Sequence, residues 1–103
     1  VAEWSDLSLA EQAALMGAVG AVERVLREAL APTKINLASL GNVVPHLHWH
    51  VIARFDWDSR FPAPVWAAPA REVVPAAVTR LRTGLPELDA RVARAVAALA
   101  PAA

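Results

Sequence analysis

The chain has no cysteine, no imbalance of charge and no apolar run long enough to span a bilayer, and each lack excludes a class of protein. Without cysteine there are no disulfides and no thiolate metal ligands, which fits a reducing compartment and makes the cytoplasm the expected location. Ten basic and ten acidic residues cancel to a formal charge of zero, so the electrostatic footprint of a protein that binds nucleic acid polymers or an anionic membrane surface is missing. Hydrophobic residues make up 56% of the chain, yet many are alanine, which favours helix and buries little area per residue. Pro, Glu, Arg or Asp interrupts every apolar stretch well short of the roughly 20 residues that a membrane-spanning helix needs. A secretory signal, with a basic start and an apolar centre, is also lacking. The chain opens on Val1 rather than Met, so it reads as beginning partway into a longer product. At 103 residues it makes one small domain with a modest core.

What the sequence does have is concentrated between Pro45 and Arg54. All three histidines, His46, His48 and His50, lie there at alternating positions among strand-forming residues. In an extended strand alternate side chains share a face at a spacing of about 6.6 Å, so the imidazoles form one row. Leu47, Trp49 and Val51 form the opposite row, one titratable face being backed by one oily face.

Around this segment the chain predicts an α+β fold. Ser8-Leu9-Ala10-Glu11 has the capping-box pattern, and Leu15, Val19, Val22, Leu26 and Leu30 continue from it as an apolar stripe at helical spacing. Glu23 with Arg27, and Arg24 with Glu28, stand on the outer side at i,i+4 spacing, and Pro32 ends the helix. Before the helix, Val1 to Leu7 reads as a strand end or loop anchored by Trp4. After it, Thr33 to Leu40 has a period of two and predicts a strand, which Gly41-Asn42 turns back into the histidine strand as an antiparallel neighbour. The aromatic and proline-rich residues from Phe55 to Pro69 predict an ordered loop, because Trp57, Phe61 and Trp66 carry apolar area that must be covered. Arg71 to Arg82 is helix-like despite Pro75 and is stopped by Gly84. Pro86 to Leu99 predicts a last helix with Leu88, Val92, Val96 and Leu99 as its stripe. The residues after it read as a frayed end. Residues 1–69 thus form the core, and residues 70–103 a helical extension of the same domain.

Burying three titratable rings on one face serves no packing purpose, which leaves two chemical readings. In the first, His-x-His on a strand presents imidazole ligands to a metal ion. Against it, the outer two rings of a straight strand are about 13 Å apart, so Asp56 or Asp58 would have to fold back to complete the sphere. In the second, the central imidazole of His48 attacks phosphorus, while its neighbours act as acid and phosphate ligand. The Gly41-Asn42 turn supports the second, because turns offer backbone N–H groups to phosphate oxygens. Arg54 shares the histidine face by parity, where it can neutralise a phosphate or pair with Asp56 or Asp58. Trp57 and Trp66 are candidates for stacking on a base, whereas Trp49 points to the core side or to a dimer interface.

His46-Leu47-His48-Trp49-His50-Val51-Ile52 resembles the His-x-His-x-His-x-x motif of the histidine triad (HIT) superfamily. Ile35-Asn36-Leu37 and Gly41-Asn42 resemble the family's upstream strand and phosphate loop, and the helix from Ser8 and the segment Phe61 to Trp66 resemble a bacterial branch of it. The resemblance covers roughly residues 1–69. It implies a HIT-like α+β core in which a small antiparallel sheet packs its Leu47/Trp49/Val51 side on the Ser8 helix and lines a nucleotide cleft with its histidine side. It also implies His48 as nucleophile, His50 assisting at the scissile or bridging phosphate oxygen, His46 supporting the arrangement, and Asn36, Gly41 and Asn42 as ribose or phosphate contacts. The implied activity is that of a nucleotide phosphohydrolase or nucleotidyl transferase acting on dinucleoside polyphosphates or nucleoside phosphoramidates, in a homodimer. No intrinsic metal or other cofactor is implied, although substrate phosphates can bring a divalent cation. The departures from the pattern are Val43 in place of a hydroxyl residue, Ala53 in place of a proline, and no counterpart of the amino-terminal strands that help form the base pocket. A metal-dependent protein, or a nucleotide-binding module without catalysis, remains the alternative.

Overall fold

Helix α1 spans Leu9–Leu30 in the computed structural model, which describes residues 1–99. Its start is the capping box read from the sequence: Ser8 Oγ accepts from the Glu11 N–H at 3.1 Å, and the Ser8 N–H donates to Glu11 Oε1 at 2.8 Å. Both bonds satisfy amides that have no partner within the helix. At the other end Pro32 disfavours helical backbone at the residue before it, and Ala31 reverses the chain in the left-handed region at φ 46°.

Strand β1 (Lys34–Ala38) then pairs with β2 (His50–Arg54) as an antiparallel hairpin. The register sets Lys34 opposite Arg54, Asn36 opposite Ile52, and Ala38 opposite His50. One face of the hairpin carries Ile35, Val51 and Ala53, which pack with Val22 and Val25 of α1 against buried Leu26, Ala29 and Leu30. Of the oily row Leu47, Trp49 and Val51, Val51 takes the expected orientation and faces the helix. The sheet has two strands, and the fold is α+β.

Of the strand end or loop expected over Val1 to Leu7, a loop with a 3-10 turn at Trp4–Asp6 is observed, closed by the Glu3 N–H donating to Asp6 Oδ2 at 3.0 Å. Two elements differ from expectation. The helix-like stretch from Arg71 to Arg82 contracts to α2, Ala77–Arg80, because Pro75 cannot donate in a helix interior and holds the chain before it extended. Gly84 does not stop that helix but is the N-cap of α3, Leu85–Ala97, with Pro86 in its first turn. Of the α3 stripe, Leu88 alone is buried, where it joins the α1 cluster, and Val96 is 45% exposed. Thr83 ties the two helices further, its hydroxyl donating to the Ala29 carbonyl at 2.6 Å. The chain end read as frayed lies outside the described residues.

Candidate active site

The histidine strand is shorter than its sequence pattern. Ladder pairing stops at Ala38 and His50 because β1 ends there, so His46 and His48 lie before β2, in the connection over residues 39–49. Their backbone is held by specific bonds instead. The Ser39 hydroxyl donates to the His48 carbonyl at 2.8 Å, the His46 N–H to the Val44 carbonyl at 2.8 Å, and the Leu47 N–H to the Val1 carbonyl at 2.8 Å. Gly41 supplies the reversal with φ 70°, a conformation that costs other residues energy. Asn42 beside it is exposed. The strict alternation in the sequence could not reveal this early end, since β-propensity does not report where a partner strand stops.

The three imidazoles are unequal. His46 and His50 are exposed and His48 is half-buried. The His48 and His50 rings meet edge to face, with centroids 5.2 Å apart and planes at 81°. Nδ1 of His48 lies 2.5 Å from the His46 carbonyl oxygen. A carbonyl only accepts, so Nδ1 carries the proton and Nε2 keeps its lone pair. The backbone of His46 thereby fixes the tautomer of His48. Among the described residues no group of three His, Cys, Asp or Glu side chains is arranged to hold one metal ion.

Asn36 lies on the histidine face of the hairpin, opposite Ile52, and its Oδ1 accepts from Arg54 Nη1 at 2.9 Å. Arg54 is 2% exposed and belongs to the loop rather than to a phosphate. Its Nε and Nη2 grip Asp58 Oδ2 and Oδ1 at 2.9 and 3.1 Å, and Nη2 also donates to the Ala63 carbonyl at 2.7 Å. Of the two roles open to Arg54 in the sequence, pairing with Asp58 is the one observed. Asp58 accepts as well from the N–H groups of Phe55, Arg60 and Phe61. Partial burial works to raise its pKa, but the Arg54 guanidinium and the three backbone amides outweigh it and hold the carboxyl well below the usual carboxylate range.

Asp58 is thus the hub of the ordered loop, a role that the sequence did not single out. The loop is fixed further by Arg60 Nε donating to the Ala67 carbonyl at 2.8 Å and by Arg71 Nη1 donating to the Phe61 carbonyl at 2.7 Å. Trp57 is consumed inside it, stacked on Phe55 at 4.7 Å with the Arg80 guanidinium 4.2 Å from its ring centre. Trp49 meets Trp4 edge to face at 6.0 Å. Its buried Nε1 has no partner among the described residues.

A cleft of about 810 Å³ opens over the β1 side of the hairpin, with Asn36, Ile52 and Arg54 on its floor. Pro62, Pro64 and Trp66 of the loop, Arg27 of α1 and Lys34 of β1 also line it. None of the histidines lines this cleft, nor do Gly41 and Asn42. The cleft instead ends at Ala38, the register partner of His50. Its floor therefore continues the face that carries His50, and Asn36 is the one expected site residue inside it.

A HIT domain profile matches residues 1–57. Comparison with curated proteins gives no match. Among solved structures, the chain is similar to a histidine triad protein from Bradyrhizobium japonicum (34% identity, TM-score 0.71), covering 93% of this chain and 67% of that one. It is similar to another from Sinorhizobium meliloti (34% identity, TM-score 0.68), with 91% and 65% of the two chains covered. A third, from Marinobacter aquaeolei, is 29% identical with TM-score 0.71 over 97% and 69% of the two chains. The chain spans about two thirds of the length of each.

Proposed function

The chain belongs to the histidine triad (HIT) family, and from that membership we propose that it is a nucleotide phosphohydrolase or nucleotidyl transferase working through a covalent intermediate on His48. The observation that carries the proposal is the contact of His48 Nδ1 with the His46 carbonyl. It leaves the Nε2 lone pair free, as a nucleophilic imidazole requires. Nε2 attacks the α-phosphorus of a dinucleoside polyphosphate or a nucleoside phosphoramidate. An N–P bond forms, the bond from phosphorus to the leaving oxygen or nitrogen breaks, and water or another acceptor then takes the nucleotidyl group from Nε2. His50, with its ring 5.2 Å from that of His48, assists at the leaving atom by protonating it or by ligating the phosphate. His46 contributes its backbone, whatever its ring does.

Gly41 and Asn42 offer amides to phosphate oxygens at the turn. Asn36, whose Oδ1 is committed to Arg54, has its NH₂ left to donate. The functional unit in this reading is a homodimer. It uses no resident cofactor, and any divalent cation enters with the substrate phosphates. No helix among the described residues is long and apolar enough to cross a membrane. The test is turnover of labelled dinucleoside polyphosphate and nucleoside phosphoramidate by the wild type and by His48→Ala. A loss of about 10³-fold or more in kcat is expected. Equal turnover in the two proteins contradicts the mechanism, and nucleotide affinity with no product in the wild type marks a binding module.

A further inference from the structure

A primary amide can meet a ligand with either end, and we infer that Asp58, acting through Arg54, is the positioning residue that makes Asn36 meet the substrate as a donor. The inference rests on the reading of Asn36 as a substrate contact and adds what sets the polarity of that contact.

Asn36 stands opposite Ile52 in the hairpin, with His50 and Arg54 as its diagonal neighbours on the same face. Diagonal neighbours on one face of an antiparallel pair are about 7 Å apart. The amide is therefore placed between a ring of the histidine row on one side and the guanidinium on the other.

The two ends of that amide have opposite effects on a substrate rich in phosphate oxygens. The NH₂ end attracts an oxyanion, and the carbonyl end repels it. Arg54 decides between them. A guanidinium has donors and no acceptor, so the 2.9 Å bond from Arg54 Nη1 can be accepted by Oδ1 alone, and the NH₂ end is left for the guest. Arg54 is 2% exposed, so water does not compete for this bond.

Arg54 has a long, rotatable side chain and does not set its own plane. Asp58 sets it. The carboxylate takes Nε and Nη2 side-on at 2.9 and 3.1 Å, a two-point clasp that fixes the fork and leaves Nη1 for Asn36. Asp58 is placed in turn by the N–H groups of Phe55, Arg60 and Phe61 at 3.1, 3.0 and 2.7 Å. Orientation thus passes from the backbone of the loop to Asp58, from Asp58 to Arg54, and from Arg54 to Asn36. Without the carboxylate the fork loses both its counter-charge and its plane, and the Asn36 amide is free to turn.

The test separates positioning from folding by the parameter that moves. A contact made equally in the ground and transition states enters KM and spares kcat, whereas a loss of folded protein lowers the apparent kcat and spares KM. Asp58→Asn, assayed on a dinucleoside polyphosphate at a temperature where circular dichroism shows it folded, should raise KM about tenfold, as expected for one hydrogen bond to a charged group. Its kcat should stay within about twofold. Thr83→Val, weakened away from the site, should leave KM unchanged. Asn36→Asp, which keeps an acceptor for Arg54 but has no donor, should raise KM at least as much as Asp58→Asn. In an Asn36→Ala background Asp58→Asn should raise KM no further, because its effect is carried by Asn36. If Asp58→Asn does not fold alone, the double variant Arg54→Met with Asp58→Asn removes the buried charge together with its counter-ion and is compared in the same way. A KM within about twofold of wild type in the Asp58 variants, or an equal rise with and without Asn36, overturns the inference. If the wild type turns over no nucleotide, the catalytic reading fails by itself, and calorimetric titration with a nucleoside monophosphate substitutes Kd for KM. A tenfold weakening in Asp58→Asn that vanishes without Asn36 then sustains the inference, and a wild type without affinity overturns it.

Discussion

Arg54 and Asp58, four residues apart, clasp each other through two N–H to oxygen bonds of 2.9 and 3.1 Å, and the guanidinium continues to Asn36 on one side and to the Ala63 carbonyl on the other. One buried cation therefore joins the strand carrying Asn36, the strand carrying His50, and the loop carrying Trp66. The histidine face and the cleft wall are mechanically one unit.

Removing the acid from this pair leaves a buried guanidinium without its counter-charge. Asp58→Asn should destabilise the fold by about 3 kcal/mol, since an uncompensated buried charge costs far more than the pair contributes. Urea unfolding followed by tryptophan fluorescence measures it, and a change under about 0.5 kcal/mol contradicts the hub role of Asp58. Arg54→Lys should also destabilise, because an ammonium cannot reproduce the planar fork.

The same pair sets an acid dependence. The folded-state pKa of Asp58 is held below its ordinary value of 3.8. Its contribution is therefore complete above that value and is lost as pH falls below it toward the depressed pKa. Urea midpoints should be flat with respect to this group from pH 7 to about 5 and should fall below pH 4. The Asp58→Asn protein should show a shallower fall, and parallel curves for the two proteins contradict the assignment.

Ser39 holds His48 by its backbone, the hydroxyl donating to the His48 carbonyl at 2.8 Å. Ser39→Ala should lower kcat by about tenfold with little change in KM, because misplacement of a nucleophile by a fraction of an ångström affects the step more than the binding. Ser39→Thr, which keeps the hydroxyl, should restore most of the rate. Equal kinetics for alanine and wild type mean that the bond does not position His48.

Thr83 connects the start of α3 to the end of α1. Thr83→Val keeps the shape and strands the Ala29 carbonyl, and Ala29 is 1% exposed. The expected cost is about 1 kcal/mol, read as a lowered thermal midpoint. No change indicates that α3 does not support the site through this contact.

Much of this was legible in the sequence, and what was not has a physical reason. Ser8 and Glu11 announced the start of α1, because a capping box is a local interaction between residues three apart. Val51 announced the core face of β2 by alternation alone, and Ile35 and Ala53 join it there in the fold. The histidine motif announced the family. The length of β2 was not legible, since it depends on where β1 ends, nor was the bond from the His46 carbonyl that sets the tautomer of His48. Asp58 looked like an ordinary loop acid because its partners, Arg54 and three backbone amides, converge only after the loop closes. Trp57 and Trp66 looked equivalent, and only the fold distinguishes the one packed between Phe55 and Arg80 from the one left open on the cleft.

The central claim is that Nε2 of His48 becomes covalently bonded to phosphorus. The direct measurement is mass spectrometry of the protein quenched during turnover of a dinucleoside polyphosphate and digested without acid, which cleaves N–P bonds. The expected result is a nucleoside monophosphate adduct on the peptide containing His48, lost on acid treatment and absent in His48→Ala. An adduct on another residue, or continued turnover by His48→Ala, contradicts it.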